Sequence, residues 1–377
     1  MEFDPDRRRV LALGAAAGAV LMTQAATPGL ALAKAGQITL ADCQAFTPKD
    51  LAERSPHVMR SFTYLKDTVA SIKDAKLRAK VQAILADPAP TVLSRLKDPK
   101  DRQEVFSELS AKGFIKDVTA DNFLPPAQAP DKTLQPFHTA PGSGYQSHHP
   151  YPGGLVTHTA ANLKISLGVY GAYQDVFGFA LDRDTVVAAQ VLHDLHKPWV
   201  FAWQPDKSCR TEQIMAATGE HHPLSIAESI HRGLPARVIT AQACAHNHPG
   251  TPKDEAEVVA WIQAAAIIAG QDPVKAGLLA PDGQTLPLPR TMENFVIHLG
   301  DHDFVLTIPE AKWTIAALGE LAKARYAMTD EDLKGAKFNA LRNTVFSQAT
   351  LEALYHTYST QGPNGLARSV EQLVKPV

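Results

Sequence analysis

The sequence predicts an all-α protein, and three observations carry that prediction. Apolar residues recur at three- and four-residue spacing, as Leu77, Val81, Ile84 and Leu85 do. Helix starts and stops punctuate the pattern: Ser55-Pro56 reads as an N-cap followed by proline at the first helical position, and Gly113 as a C-terminal stop. No run of alternating apolar and polar residues is long enough for a sheet.

Residues 47–118 read as helices, with Val105, Phe106 and Leu109 repeating the helical spacing. Residues 119–154 break the pattern with seven prolines and four glycines, so they read as a long irregular connection and a boundary. His148-His149, inside that connection, read as surface histidines, with the lining of a pocket mouth or the extension of a site as the alternative. The chain turns helical again from 154 to 272, with helices over 185–196 behind an Asp184 cap, 223–232 stopping at Gly233, 235–246 and 254–270. Residues 273–306 read as mixed, with a turn at Pro281-Asp282-Gly283 and room for a short hairpin. Thr307 and Glu310 read as a capping box around Pro309, and a helix over 351–358 is ended by Gly362-Pro363.

Composition excludes several function classes. The 377 residues carry 37 Lys+Arg against 39 Asp+Glu, a formal net charge of −2, which leaves no electrostatic footprint for nucleic acid. With 45% apolar and 20% charged residues the chain is ordinary globular protein, not a disordered or multi-span one. Cys43, Cys209 and Cys244 are too few for a disulfide scaffold; one disulfide plus one free thiol is left open. At the N-terminus, Arg7, Arg8 and Arg9 precede an uncharged Ala/Gly-rich run from Val10 to Ala33 that closes on Ala31-Leu32-Ala33, a small-x-small cleavage pattern. Asp6-Arg7-Arg8-Arg9-Val10-Leu11 resembles a twin-arginine export signal. Residues 1–33 are therefore expected to be a cleaved signal, giving an exported, periplasmic protein with no stable membrane insertion. The alternative is an uncleaved N-terminal anchor. The remaining layout reads as an N-terminal helical region (34–125), a metal-binding domain (126–306) and a C-terminal helical extension (307–377).

Histidine is the unusual count: eleven of fifteen lie between His138 and His248. Five groups stand out in order, His158, His193-Asp194, His221-His222, His246 with His248, and Asp272, each on or at the end of an expected helix. Transition-metal sites need imidazoles and carboxylates brought together from several rigid elements, and helix bundles supply them from facing helices. Asp194 follows the apolar run Val186 to Leu192, where an unpaired carboxylate would be costly. A carboxylate has a second oxygen with which to bridge another ion, so one or two divalent transition ions (Mn, Fe, Zn, Co or Ni) are within reach.

The chain resembles the HD superfamily of metal-dependent phosphohydrolases. The matching text is GGLVTHT around His158, VLHDLHK around His193-Asp194, EHHPLSIAE around His222, CAHNHP around His246 and His248, and IIAGQDP ending in Asp272. The resemblance covers about residues 145–275. Where many members read His-Asp-x-Gly-Lys, this chain has His193-Asp194-Leu195-His196-Lys197. The resemblance implies an all-α HD bundle in which Asp194 bridges two ions. His158, His193 and Asp272 would hold one, and His222 with His246 or His248 the other, His221 standing behind His222. Lys197 and His196 would neutralise charge on a phosphoryl group. Asp301-His302-Asp303 lies outside the ordered pattern and reads as loop; Trp199, Phe201 and Trp203 read as core or pocket wall. The expected activity is hydrolysis of a small phosphomonoester, phosphodiester or nucleotide. The alternatives are a di-iron oxygenase on the same ligands and a non-catalytic metal-binding or sensing module.

Overall fold

The computed structural model describes residues 37–145 and 147–377, so the export signal expected over residues 1–33 lies outside the described residues. The regular secondary structure of the described residues is helical apart from one two-stranded hairpin and two isolated bridges, as the periodicity requires.

Five helices come first: α1 (Leu40–Ala45), α2 (Pro48–Arg54), α3 (Pro56–Ala70), α4 (Ala75–Ala86) and α5 (Pro99–Ala111). Their starts are written in local chemistry. Thr39 with Asp42 and Thr47 with Asp50 form capping boxes, Ser55 Oγ accepts from the Val58 N–H, and Asp74 accepts from Lys76 and Leu77. Each such cap contributes about 1 kcal/mol. Gly113, at φ +71, follows the end of α5 as expected.

The central helices are α6 (Gly154–Phe177), α7 (Arg183–Leu192), the short α8 (Lys197–Val200), α9 (His221–His231), α10 (Ala236–Ala243), α11 (Pro252–Ala269) and α12 (Met292–Gly300). The hairpin β1 (Ile214–Met215) and β2 (Thr218–Gly219) precedes α9. α7 is buried from Thr185 through Leu192, which makes it the axis of the bundle. Burying its valines and Leu192, at about 1.5–3 kcal/mol each, helps offset the cost of carrying His193-Asp194 inside. α6 enters through Gly153 at φ +86, where a Cβ would collide with Val58 of α3. The C-terminal helices are α13 (Phe304–Tyr326), α14 (Ala336–Ala349) and α15 (Leu351–Leu373); α15 is broken at Gly362 (φ 68, ψ −167), beside Pro363. One apolar core runs through the helices from Leu65 to Ile297, so residues on both sides of the proline-rich connection share it. A second core joins Cys43 and Tyr151 to α13, α14 and α15.

Three expectations need correction, and the cysteine question left open finds its answer. Asp182, not Asp184, caps α7 by accepting from Asp184 and Thr185 N–H; the Asp184 carboxylate instead accepts from Lys73 and Asp74 N–H, 110 residues away in the chain. No hairpin forms in 273–306, which contains α12. α13 starts at Phe304, and Thr307 Oγ1 donates back to the Asp303 carbonyl, so there is no capping box at Pro309. The three cysteines are separate, buried thiols. Among the described residues no helix is long and apolar enough to cross a membrane.

Glu228 of α9 pins the N-terminal region to this bundle. It accepts from Thr91 and Val92 N–H, Thr91 Oγ1 and Arg232 Nε, at 2.5–3.1 Å. Burial alone would raise its pKa; His196, Thr91 and Arg232 override that and hold it at about 2. A depressed carboxylate contributes stability above its unfolded pKa and loses it as pH falls through the folded one. Glu228→Gln is therefore expected to lower unfolding free energy by about 2–3 kcal/mol at pH 7. The gap to wild type should close as pH falls from about 4.5 towards 2, which urea titrations at both ends of that window would check.

Candidate metal centre

Helix ends deliver most of the site. His158 sits in the second turn of α6; His193 is the C-cap of α7 and Asp194 follows it; His221 and His222 open α9; His246 lies in the turn after α10; Asp301 is the C-cap of α12. A residue at a helix end can turn into a space that a mid-helix residue must reach across, so several chain segments converge on one volume.

The inner side of the ring is made by His158, His193, Asp194 and Asp301. His193 Nδ1 donates to the Gln190 carbonyl at 2.7 Å, which fixes the ring and turns Nε2 inward. That Nε2 lies 3.1 Å from Asp194 Oδ2, 3.3 Å from Asp301 Oδ1 and 3.3 Å from His158 Nε2. His158 Nε2 is 3.2 Å from both of those carboxylate oxygens. Asn162 Nδ2 donates to Asp301 Oδ1 at 2.5 Å.

The other side is imidazole-rich. His221 Nε2 and His246 Nε2 each lie 3.5 Å from Asp194 Oδ1, and His246 Nε2 is 3.3 Å from Asp301 Oδ2. Glu212 Oε2 accepts from His221 Nδ1 at 2.5 Å, the carboxylate–imidazole pairing that orients metal-binding histidines. His222 stacks flat on His246 with ring centres 3.5 Å apart, and its Nδ1 is hydrogen-bonded with Thr218 Oγ1 at 2.6 Å. The two oxygens of Asp194 thus face two different histidine groups.

The two buried carboxylates of this ring suit a cation. Burial opposes charge on His193, yet Asp194 and Asp301 outweigh it and raise its pKa to about 10. Burial likewise opposes charge on the two aspartates, but His193 and the neighbouring groups draw both well below the usual carboxylate range. Burial keeps His222 and His246 neutral, as ligands must be. Both Asp194 oxygens are buried, and none of the nitrogens that approach them at 2.6–3.5 Å does so with hydrogen-bond geometry. Three sets, His158/His193/Asp301, His193/Asp194/His246 and His221/His222/His246, each place ligand atoms within 4.8 Å of one another. The donor set of imidazoles and carboxylates fits divalent transition ions.

Of the residues singled out in the sequence, the structure brings together His158, His193, Asp194, His222 and His246. It does not bring Asp272 or His248. Asp272 is surface-exposed beyond the end of α11, and its Oδ1 accepts from Val274 and Lys275 N–H, capping its own turn. His248 lies against His298 and Phe295, its Nδ1 accepting from Gly250 N–H. Asp301 occupies the place expected of Asp272. Its signal was the Asp301-His302-Asp303 cluster, set aside because no local pattern shows that α12 returns to the bundle. His221, expected behind His222, reaches Asp194 itself. His196 faces away from the ring: it is fully buried, its Nε2 3.4 Å from Glu228 Oε2 and its ring edge-on to Trp199. Lys197 does reach the ring, but as a buried tether, with Nζ 2.6 Å from Asp194 Oδ2 and donating to the Gly142 carbonyl at 2.5 Å. Trp199 and Phe201 are core; Trp203 is half-buried and donates to the Thr139 carbonyl.

Glu212 offers a direct check on the outer side of the ring. If His221 holds an ion, Glu212→Gln is expected to weaken its retention about 10–100-fold, measured by competition with a chelator.

No family model and no solved structure matches the chain. A curated relative does. The dihydroneopterin 2′,3′-cyclic phosphate phosphodiesterase of Methanocaldococcus jannaschii is 32% identical over 99 residues, 26% of this chain. The match spans 39% of that protein's length.

Proposed function

We propose that the chain is a metal-dependent phosphoester hydrolase of the HD type. One observation carries the reading: the buried Asp194 carboxylate turns its two oxygens to two separate histidine groups, which suits a pair of ions sharing one bridge. His158, His193 and Asp301 would hold one ion, His221, His222 and His246 the other, with Asp194 between them. When bound, such ions polarise a phosphoryl oxygen and lower the pKa of water to near neutrality. The protein's own part is orientation. The Gln190 carbonyl and Glu212 fix the rings of His193 and His221, Lys197 holds Asp194 in place, and Asn162 holds Asp301. With Lys197 spent on Asp194 and Gly142, it is not a free phosphate clamp, and charge neutralisation at the phosphoryl group falls to the ions. The resemblance to a cyclic-phosphate phosphodiesterase favours a small phosphodiester as substrate. We place the enzyme outside the cytoplasm, on the export signal read in residues 1–33, and keep residues 126–306 as the metal-binding domain.

The test is turnover of bis-p-nitrophenyl phosphate and of 2′,3′-cyclic mononucleotides by purified protein, with and without a chelator. Turnover removed by chelation and restored by Mn(II) supports the proposal. Bound iron with oxygen uptake and no phosphoester turnover would transfer the site to oxygenase chemistry.

A further inference from the structure

The connection ahead of α6 puts two histidines against the far side of His158, where surface residues were expected. The Gly142 N–H donates to the His149 carbonyl at 2.9 Å, and so ties the two ends of that segment together. His149 adopts φ 49, a left-handed conformation that a non-glycine residue keeps only when its surroundings enforce it. They do: a Cβ on Gly154 would collide with the His149 carbonyl, and one on Gly142 would stand 2.6 Å from His149 Cβ. The outcome is an imidazole only 3% exposed.

One ring nitrogen from each of His148, His149 and His158 lies within 4.8 Å of the others. The ring centres of His148 and His149 are 4.7 and 5.2 Å from that of His158. His158 Nε2 faces Asp194 and Asp301, whereas its Nδ1 is 3.6 Å from Asp303 Oδ1. Glu352, from α15, brings Oε1 to 3.1 Å from His149 Nε2. Asp303 Oδ1 and Glu352 Oε1 are buried without a hydrogen bond of normal geometry, and so is Oε2 of Glu310, a residue 6% exposed. Among the described residues no Lys or Arg forms an ion pair with these three carboxylates. Imidazoles beside carboxylate oxygens that no Lys or Arg reaches suit a cation.

We propose a further divalent-cation site, distinct from the centre on the other side of His158. His148, His149 and the Nδ1 edge of His158 would hold the ion, His158 giving up its ring proton to solvent so that the imidazolate serves both sites, with Asp303 and Glu352 supplying carboxylate oxygens. The mixed nitrogen and oxygen donors select the Mn, Fe, Co and Zn class over Mg or Ca. An ion there would fasten α15 to the segment carrying His148 and His149. The inference shares His158 with the reading above but does not depend on the reaction.

The test counts ions. The full chain, His148→Gln/His149→Gln and Asp194→Asn/Asp301→Asn are each incubated with excess Mn(II), desalted and analysed by elemental mass spectrometry. The expected result is one ion fewer per chain in the histidine variant than in wild type, and about one ion kept by the aspartate variant. Equal counts in wild type and the histidine variant, or no ion in the aspartate variant, overturn the site. If the histidine variant fails to fold, Glu352→Gln takes its place, with the same loss of one ion expected and an unchanged count overturning the site. Ions lost only in the aspartate variant sink this site and spare the hydrolase reading. A single wild-type ion, lost only in the histidine variant, does the reverse.

Discussion

Asp194→Asn is expected to lower phosphoester turnover by about three orders of magnitude, close to 4 kcal/mol of transition-state stabilisation. The amide keeps the shape of the side chain and removes both the charge and one of its two acceptor oxygens. It would turn an N–H₂ towards either His158 and His193 or His221 and His246, whichever group faced the nitrogen. Either choice disrupts one histidine group, so metal content should fall along with turnover. Lys197 would also lose the charge at 2.6 Å that balances its burial. Stability measured on the same sample separates the two losses: a folded variant with few ions and no turnover is the expected outcome. A variant that keeps its ions and most of its activity would remove Asp194 from the centre of the proposal.

Asp301→Asn set against Asp272→Asn is the second large effect, and the one that tests the geometry against the sequence pattern. Asp301 touches His158, His193 and His246 at 3.2–3.3 Å and is 3% exposed, so its loss should cost about a hundredfold or more in turnover and in retention of the ion. Asp272 holds only its own turn, so Asp272→Asn should leave both within about twofold. Parallel rate and metal measurements on the pair would check this. Equal losses in the two variants, or a loss confined to Asp272→Asn, would mean that α11 and not α12 supplies the closing carboxylate.

The contrast between those two aspartates shows what kind of information the sequence carries. Both follow a helix, both are short acidic side chains, and the order of motifs favoured Asp272. Nothing local distinguishes them, because the difference lies in where α11 and α12 point their ends. The same holds for His246 and His248, two residues apart. In the turn after α10 the first ring faces Asp194 and the second faces His298. A two-residue offset in an irregular turn has no fixed period from which direction could be read.

The all-α class, the placing of most helices and the core of the site, His158 and His193-Asp194, were determined by the sequence alone. These rest on short-range physics: apolar spacing at the helical period, caps that satisfy the first free N–H groups, and a carboxylate too costly to bury without a partner. Only the tertiary structure decided that Asp301 closes the ring, that His221 reaches Asp194, that His196 belongs to Glu228, and that His148 and the buried His149 pack beside His158. Each of those contacts joins segments tens of residues or more apart, or turns on the direction a side chain takes from a helix end or a loop. Such contacts are set by how whole helices pack, and packing is a property of all the apolar faces together.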